Sequence, residues 1–224
     1  MAVSVIIPTL NEAARIAGTI AALRRHEPGE IIVVDGGSHD GTVELAQDAD
    51  RVLRSPPGRA VQMNRGAREA RGEHLVFLHV DCTLDDGALA AAEETLARRR
   101  GVAGCFTMHV EAAGLLYRCI DAAAGTRVRL TGIVYGDQGL FVRRDDFECA
   151  GGFPPVRFME DVLLSRALTK RGRIVVLPQR IHVAPRRWQR VGLVRQTLRN
   201  WTLIALAASG VQPDRLARFY PEVR

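Results

Sequence analysis

Polar side chains able to bind a metal or a nucleotide follow three apolar runs of this sequence. They are Asn11 and Glu12 after residues 3–7, Asp35 and Asp40 after residues 30–34, and Asp81 after residues 74–79. If the runs are parallel strands, their carboxyl ends meet at one edge of a sheet and bring these groups together. Carboxylate and amide oxygens suit Mg²⁺ or Mn²⁺, and a carboxylate also accepts hydrogen bonds from a base or a ribose. Each residue alone is equally typical of a turn or a helix cap, so only the whole set indicates a site.

A further acidic pair, Glu160 and Asp161, stands at the start of a helical pattern over residues 161–170. A carboxylate there either caps the helix or acts as a general base, and one side chain can do both because capping fixes it at the helix mouth. Two common nucleotide motifs are absent, since residues 35–41 lack the G-x-G-x-x-G spacing and no G-x-x-x-x-G-K-[ST] occurs. These absences exclude a hydride-transfer enzyme and a P-loop NTPase.

Short apolar runs alternate with helical patterns along the chain. Strands are predicted at residues 3–7 (ended by Pro8), 30–34, 51–53, 74–79, 104–110, 139–143 and 174–177. Helices are predicted after a cap at Thr9 or Asn11, from residue 42 with Asp40 as its cap, and over residues 60–70, 115–124 and 161–170. This alternation predicts an α/β fold, with a mainly parallel central sheet and helices on both faces.

The composition is that of a globular protein. Of 224 residues, 47% are hydrophobic and 25% charged, which excludes disordered and fibrous classes. No linker or repeat divides the chain, so residues 1–185 are predicted to form one domain. Four cysteines without C-x-x-C spacing argue against a structural zinc site or a disulfide framework, and free thiols favour the cytoplasm.

No segment of the sequence resembles a signal peptide or a membrane span. The N-terminus lacks a basic region before its short apolar run. The charge-free stretch over residues 200–213 falls short of the ~20 residues that a span requires. We therefore expect no membrane crossing.

Residues 5–12, 33–42 and 79–81 resemble the family 2 glycosyltransferases, which have the GT-A fold. The runs Gly-Gly-Phe at 151–153, Glu-Asp at 160–161 and Arg-Arg-Trp at 186–188 follow in the order that this family uses. Residues 58–64, 135–139 and 158–161 are also similar to a compact subgroup known as arsenosugar-biosynthesis-type glycosyltransferases. The resemblance implies a Rossmann-like nucleotide-diphospho-sugar transferase domain, in which residues 1–100 bind the donor and residues 101–185 the acceptor.

The resemblance also implies a donor site. Asp35 would read the nucleobase, with Pro8, Thr9 and Glu12 in the same pocket. The other residues expected against the donor nucleotide are Asn11, Gly36, Arg59, Asn64 and Val80. Asp81 matches the last acid of the D-x-D motif, which holds Mn²⁺ or Mg²⁺ on the diphosphate. His79 replaces the first acid, and either ligates the metal, where imidazole suits Mn²⁺ better than Mg²⁺, or hydrogen-bonds a neighbour.

Catalytic and acceptor residues are implied in the second half. Asp161 matches the base of an inverting transfer, with Glu160 beside it. Asp137 and Gln138 either bind acceptor hydroxyls or form a turn. Arg186, Arg187 and Trp188 match the end of a Q-x-x-R-W motif, in which arginines would bind the diphosphate and tryptophan would stack on an acceptor sugar. Ala184 stands at the glutamine position, which favours a single transfer over polymer extension.

The net charge of +6 lies entirely in the last 40 residues, which hold eight arginines and two acids. Apolar residues recur there at helical spacing, at Val191, Val194, Leu198, Trp201 and Ala205. We interpret residues 186–224 as a basic amphipathic helix. It either packs on the domain or on a second subunit, or lies on an anionic membrane surface.

The sequence thus predicts an inverting, metal-dependent glycosyltransferase. Its donor is a nucleoside-diphosphate sugar, with UDP favoured over GDP or dTDP by family habit, and its acceptor is a small molecule or a lipid-linked hydroxyl. The alternatives are a non-catalytic nucleotide-sugar or nucleic-acid binding module, and a nucleotidyltransferase on a similar fold. The neutral body and 5% aromatic content argue against nucleic acid, and residues 8–12 lack the Gly-rich basic loop of a nucleotidyltransferase.

Overall fold

The computed structural model of the chain describes residues 3–185 and nine positions beyond them, residues 188, 189, 192, 199, 202, 203, 206, 211 and 216. Its first half alternates strands and helices as predicted. The elements are β1 (Val3–Thr9), α1 (Ile16–Arg24), β2 (Glu30–Asp35), α2 (Thr42–Leu45), β3 (Arg51–Arg54), α3 (Arg59–Glu69) and β4 (His74–Phe77). Every residue of β2 and β4 is buried, as expected for strands covered on both faces.

The second half is longer in its elements than the sequence pattern predicted. It comprises β5 (Cys82–Leu84), α4 (Ala88–Ala97), β6 (Ala103–Val110), α5 (Leu115–Thr131), a 3₁₀ turn (Gly136–Gln138), β7 (Leu140–Arg143), α6 (Arg144–Cys149), α7 (Glu160–Thr169) and β8 (Ile174–Val183). The pattern did not predict β5, α4 or α6, and it ended β8 and α5 too early. Strand β8 extends because its second half pairs with both β6 and β5.

One eight-stranded sheet runs through both halves in the order β3-β2-β1-β4-β7-β6-β8-β5. The pairs β1–β2, β1–β4, β2–β3 and β6–β8 are parallel, and β4–β7, β6–β7 and β5–β8 are antiparallel. The predicted α/β class is confirmed. Because β1 pairs in parallel with both β2 and β4, the carboxyl ends of these three strands share one edge.

Side chains on successive strand residues enter two separate hydrophobic layers. On one face Val3, Val5, Ile7, Ile31 and Val33 pack with residues of α1 and α4. On the opposite face Ile6, Ile32 and Val34 pack with residues of α3 and α7. Helices therefore cover both faces of the sheet, as the strand–helix alternation predicted.

The prediction that Pro8 ends the first strand was wrong, because β1 continues to Thr9 and Pro8 lies opposite Val34. The Thr9 carbonyl accepts a hydrogen bond from the N–H of Gly36, on the β2 side. Since backbone groups alternate in direction, the proline nitrogen faces β4, whose pairing with β1 ends at Ile6. A missing N–H is tolerated there.

The first helix also begins later than predicted. The N-cap of α1 is Arg15, whereas the Asn11 side chain accepts a hydrogen bond from His39 and so connects two loops instead of capping. The N-cap of α2 is Gly41 rather than the predicted Asp40, although the Asp40 carboxylate accepts a hydrogen bond from the N–H of Thr42 at the start of this helix. In the part of the chain that the structure describes, no helix is both long enough and apolar enough to cross a membrane.

Candidate active site

Asp35 is buried at the carboxyl end of β2, with 1% of its surface exposed. One carboxylate oxygen accepts hydrogen bonds from the N–H groups of Gly37 and Ser38, both at 2.9 Å, and the other accepts the Ser38 hydroxyl. These three donors orient the carboxylate and shape the loop that follows. A nucleobase bound at this edge of the sheet would meet a fixed acceptor.

The loops after β1 and β2 are joined by paired hydrogen bonds. The N–H of Asn11 donates to the Ser38 hydroxyl at 2.8 Å, and the N–H of His39 donates to the Asn11 amide oxygen at 3.0 Å. Asn11 adopts a left-handed conformation (φ 55°), which asparagine tolerates better than most residues. The Glu12 carboxylate forms a 3.1 Å ion pair with Arg15. Pro8 and Thr9 lie directly below these loops, at the end of β1.

The side chain of Gln62, in α3, hydrogen-bonds to the carboxyl ends of both β1 and β2. Its buried amide nitrogen donates to the carbonyls of Thr9 at 2.7 Å and Val34 at 2.8 Å. A Cβ on Gly36 would lie 3.1 Å from the Gln62 amide, so only glycine leaves ordinary room there. The Thr19 hydroxyl donates to the Val80 carbonyl at 2.6 Å, which fixes the turn after β4 beside the same edge.

Asn64 connects α3 to the segment before α7, and Arg59 connects α3 to α7 itself. The Asn64 amide donates to the Phe153 carbonyl at 2.7 Å and accepts from the Phe153 N–H at 2.9 Å. Arg59 forms a 2.9 Å ion pair with Glu160. Both residues were predicted at the donor. In the structure Asn64 joins α3 to the segment before α7, and Arg59 joins α3 to Glu160, the first residue of α7.

Asp161 lies in the first turn of α7 with both carboxylate oxygens engaged. Oδ2 accepts a hydrogen bond from the N–H of Gly136 at 2.7 Å, and Oδ1 accepts from the N–H of Val162 at 2.7 Å. A Cβ on Gly136 would lie 2.8 Å from Nε2 of His79 and 3.6 Å from Oδ2 of Asp161. His79, Gly136 and Asp161 therefore meet at one point, although they come from three separate segments.

Met159, which precedes this acidic pair, has a left-handed backbone conformation with φ 64°. Such a conformation is costly for a residue other than glycine and tends to occur at functional sites. The Met159 side chain is buried with Val162 and with Leu203 and Leu216 of the C-terminal segment. The apolar contacts thus hold the backbone turn that presents Glu160 and Asp161.

Glu160 is a buried carboxylate with 3% of its surface exposed. Burial raises its pKa to about 7, with Arg59 acting in the opposite direction and Asp161 adding to the rise. Its Oε2 atom is buried and has no hydrogen-bond partner within the described residues. A strongly shifted acid beside a second acid is common at catalytic sites.

Asp81 and Asp137 both act electrostatically on the buried thiol of Cys82. The Cys82 sulfur lies 3.9 Å from Oδ1 of Asp81. Burial raises the pKa of this thiol well above its usual value, and the charges of Asp81 and Asp137 raise it further. The structure therefore brings the predicted metal and acceptor carboxylates to the same corner as His79.

Gln138 is placed differently, because its side chain is fully buried. Its amide oxygen accepts hydrogen bonds from Arg127 and from the N–H of Tyr135. The Arg127 guanidinium in turn lies 3.3 Å from the centre of the Tyr135 ring. Gln138 thus supports the 3₁₀ turn from inside.

Three predicted features involve the C-terminal segment. Trp188 is 9% exposed, and its ring meets that of Tyr117 edge-on at 6.5 Å between centroids. In this arrangement its face is not open to a sugar. Arg186 and Arg187 lie outside the described residues, and so does the apolar stripe over residues 191–205.

The residues present fit a divalent cation only in part. A carboxylate (Asp81) and an imidazole (His79) stand two positions apart, and among the described residues no group of three or more His, Cys, Asp or Glu side chains could hold a metal ion. Such a pair suits Mn²⁺ better than Mg²⁺. Phosphate oxygens of a bound diphosphate would have to complete the shell.

Known proteins resemble this chain in both sequence and fold. Residues 4–157 match the family described as Glycosyl transferase family 2, a range that ends before Glu160 and Asp161. The chain is 38% identical over 96 residues to Glycosyltransferase AglJ from Haloferax volcanii. This match covers 42% of this chain and 30% of AglJ. The chain is also 35% identical over 105 residues to a PGL/p-HBAD biosynthesis glycosyltransferase from Mycobacterium bovis. This match covers 42% of this chain and 39% of that protein. The match spans less than half the length of either curated relative.

Two solved structures share the fold. One is the mannosyltransferase PcManGT from Pyrobaculum calidifontis in complex with GDP-Man and Mn²⁺, with a TM-score of 0.65, 23% identity, and coverage of 80% of this chain and 56% of that one. The other is S. aureus TarS 1–349 in complex with UDP-GlcNAc, with a TM-score of 0.65, 19% identity, and coverage of 82% and 58%. These likenesses establish the GT-A fold. Since the family match covers more than half of its length, this chain belongs to glycosyl transferase family 2.

Proposed function

We propose that this chain is an inverting, metal-dependent glycosyltransferase. It moves a sugar from a nucleoside-diphosphate sugar, a UDP-sugar first, to a hydroxyl of a small-molecule or lipid-linked acceptor. Membership of family 2 supports glycosyl transfer. The GDP-Man and UDP-GlcNAc bound in the two solved neighbours support a nucleotide-sugar donor.

The orientation of Asp161 is the observation that carries the proposal. Two N–H donors hold its carboxylate at the mouth of α7, beside His79. A general base must be fixed within reach of the proton that it removes, and this residue is held on both oxygens. As the acceptor hydroxyl attacks the anomeric carbon, Asp161 takes its proton, and one displacement inverts the configuration.

The donor would lie across the carboxyl edge of β1 and β2. Asp35, already fixed by Gly37 and Ser38, would accept hydrogen bonds from the base. Pro8, Thr9, Asn11, Glu12 and Gly36 would line the base and ribose, and Val80 the turn beside them. The continuous sheet supports residues 1–185 as one catalytic domain, with its donor half ending near residue 100.

His79 and Asp81 would hold a divalent cation against the donor diphosphate. The cation would neutralise charge on the departing nucleoside diphosphate, which is a several-kcal/mol stabilisation in known enzymes. Arg59 would add a cationic contact to the same phosphates, and Arg186 and Arg187 are proposed to do so from the tail. Asp137 is proposed to accept a hydrogen bond from an acceptor hydroxyl.

A donor panel tests this function. UDP-, GDP- and dTDP-sugars are each mixed with Mn²⁺, Mg²⁺ or EDTA, and the thermal shift and nucleotide release are followed. We expect one nucleotide series to stabilise the protein, and Asp35→Asn to lose that stabilisation while the exposed control Asp48→Asn keeps it. No shift with any nucleotide would overturn the donor site. Binding without transfer to any acceptor or to water would favour a non-catalytic nucleotide-sugar module.

A further inference from the structure

Glu160 lacks the solvation that an ionised carboxylate needs. Only 3% of its surface is exposed, one oxygen pairs with Nε of Arg59 at 2.9 Å, and the other is buried without a hydrogen bond in the described part of the chain. The charged groups that act on it are Arg59 from α3 and Asp161 from its own helix. Arg59 is therefore its one counterion among them.

Arg59 stands where a second anion can compete for it. It is the first residue of α3, after Gly58, and its side chain is 38% exposed. It also belongs to the set of residues proposed to contact the donor phosphates. A guanidinium binds a diphosphate at least as well as a carboxylate, because both offer paired oxygens to its planar fork.

If Arg59 turns to a diphosphate, Glu160 loses its counterion. An ionised carboxylate that is buried and unpaired is strongly disfavoured, so Glu160 takes up a proton instead. Burial already raises the pKa of Glu160 to about 7 with Arg59 in place, so the added cost of protonation near neutral pH is small. Movement of Arg59 to the diphosphate therefore favours protonation of Glu160.

We propose that Arg59 is shared between Glu160 and the donor diphosphate, and that Glu160 takes up one proton from solvent when the donor draws Arg59 away. Glu160 is then a positioning residue, which holds Arg59 ready in the donor-free protein. This inference rests on the proposed donor site. It makes donor affinity depend on pH through Glu160 as well as through the donor itself.

The sign of the dependence follows from the two states. Below pH ~7 Glu160 is already protonated, so donor binding takes up no proton through it. Above pH ~7 it is ionised before binding, and each further pH unit weakens binding by up to about tenfold relative to a protein without the carboxylate. Glu160→Gln keeps the size and a neutral acceptor for Arg59, and removes the titration.

Calorimetric titration of UDP with Mn²⁺ tests this, with GDP and dTDP in parallel arms. Wild type and Glu160→Gln are compared at pH 6 and pH 8, each in two buffers of different ionisation enthalpy. Protons contributed by the nucleotide and the metal cancel in the comparison. We expect wild type to take up as much as one proton more per nucleotide at pH 8, and no more than the variant at pH 6. Equal uptake at pH 8 would overturn the inference while leaving the donor site intact.

Two further outcomes are informative. If no nucleotide binds wild type, both this inference and the proposed function fail. If Glu160→Gln does not fold by circular dichroism, Arg59→Gln replaces it. That variant leaves Glu160 neutral before binding, so we expect weaker UDP binding at both pH values and no extra proton uptake at pH 8. Uptake that persists in Arg59→Gln would overturn the inference.

Discussion

The backbone N–H of Gly136 donates a 2.7 Å hydrogen bond to Oδ2 of Asp161, across 25 positions of sequence. The same glycine leaves room for His79, whose Nε2 would be 2.8 Å from a Cβ at this position. One small residue therefore both orients the proposed base and admits the proposed metal ligand beside it. The chemistry proposed for this corner depends on that spacing.

We expect Gly136→Ala to lower the transfer rate by about 100-fold, because a shift of about 1 Å in reacting groups has such an effect. The methyl group would displace the His79 ring, while the melting temperature should change little. The control is Gly18→Ala in α1, where a Cβ meets nothing within 4 Å and an alanine should add about 0.5–1 kcal/mol of stability. Full activity in Gly136→Ala would contradict the proposed geometry.

Asp161→Asn should lower transfer by about 10²–10⁴-fold, the range that general base catalysis supplies. The amide keeps an oxygen for the Gly136 N–H but cannot accept the acceptor's proton. UDP affinity, measured by titration calorimetry, should stay at the wild-type value. Asp145→Asn, an exposed acid in the first turn of α6, serves as the matched control and should leave both quantities unchanged. Retained transfer in Asp161→Asn would remove it as the base.

Asp81→Asn should abolish the effect of Mn²⁺ on UDP binding. With the carboxylate gone, the affinity in Mn²⁺ should fall to the value measured in EDTA, and the wild type should lose transfer in EDTA. The control is Asp86→Asn, on the exposed turn before α4, which removes the same negative charge outside the site. If the metal dependence of Asp81→Asn equals that of wild type, the cation binds elsewhere.

Glu160 should make the folded protein less stable as pH rises from about 5 to 8. Its pKa in the folded state, raised by burial to about 7, exceeds the ordinary glutamate pKa of 4.5, so between these two pH values the native state binds a proton that the unfolded state does not. Protonated Glu160 contributes its full stabilisation below the pKa that it has in the unfolded state. This contribution, roughly 3 kcal/mol in the free energy of unfolding, is lost as the pH rises through the pKa of the folded state. Urea unfolding of wild type and Glu160→Gln at each pH measures it. If the difference in unfolding free energy between wild type and Glu160→Gln does not change with pH, Glu160 is not the group responsible.

Leu203→Ala should destabilise the protein by about 2–4 kcal/mol, since the side chain is 3% exposed and packs with Met159 and Val162. The turn before Asp161 rests on this contact, so we also expect transfer to fall. Leu206→Ala in the same segment is the control, because Leu206 is 39% exposed and should cost much less. If urea unfolding shows the same loss of stability for Leu203→Ala and Leu206→Ala, Leu203 is not part of this core.

Local patterns in the sequence were enough to predict the strands that carry the proposed donor site. Residues 31–34 of β2 are all apolar because both faces of the strand are covered, and Asp35 follows where the covering ends. The α/β class follows from this alternation alone, and so does the prediction that Asp35 and Asp81 lie at the same edge of the sheet. The acidic start of α7 was equally visible, because charge near a helix N-terminus is a local effect.

Contacts between distant segments were not predictable in this way. The pairing of Arg59 with Glu160, the bonds of Asn64 to Phe153 across 89 positions, and the meeting of Gly136 with His79 depend on how α3, α7 and the 3₁₀ turn pack on the sheet. No periodicity records such a pair, since each residue type is also common on an exposed loop. The continuation of β1 through Pro8 has the same origin, because it depends on where the neighbouring strand β4 ends. Burial of Glu160 beside Arg59, which gives the site its proposed link between proton and donor, arises only when these segments are packed together.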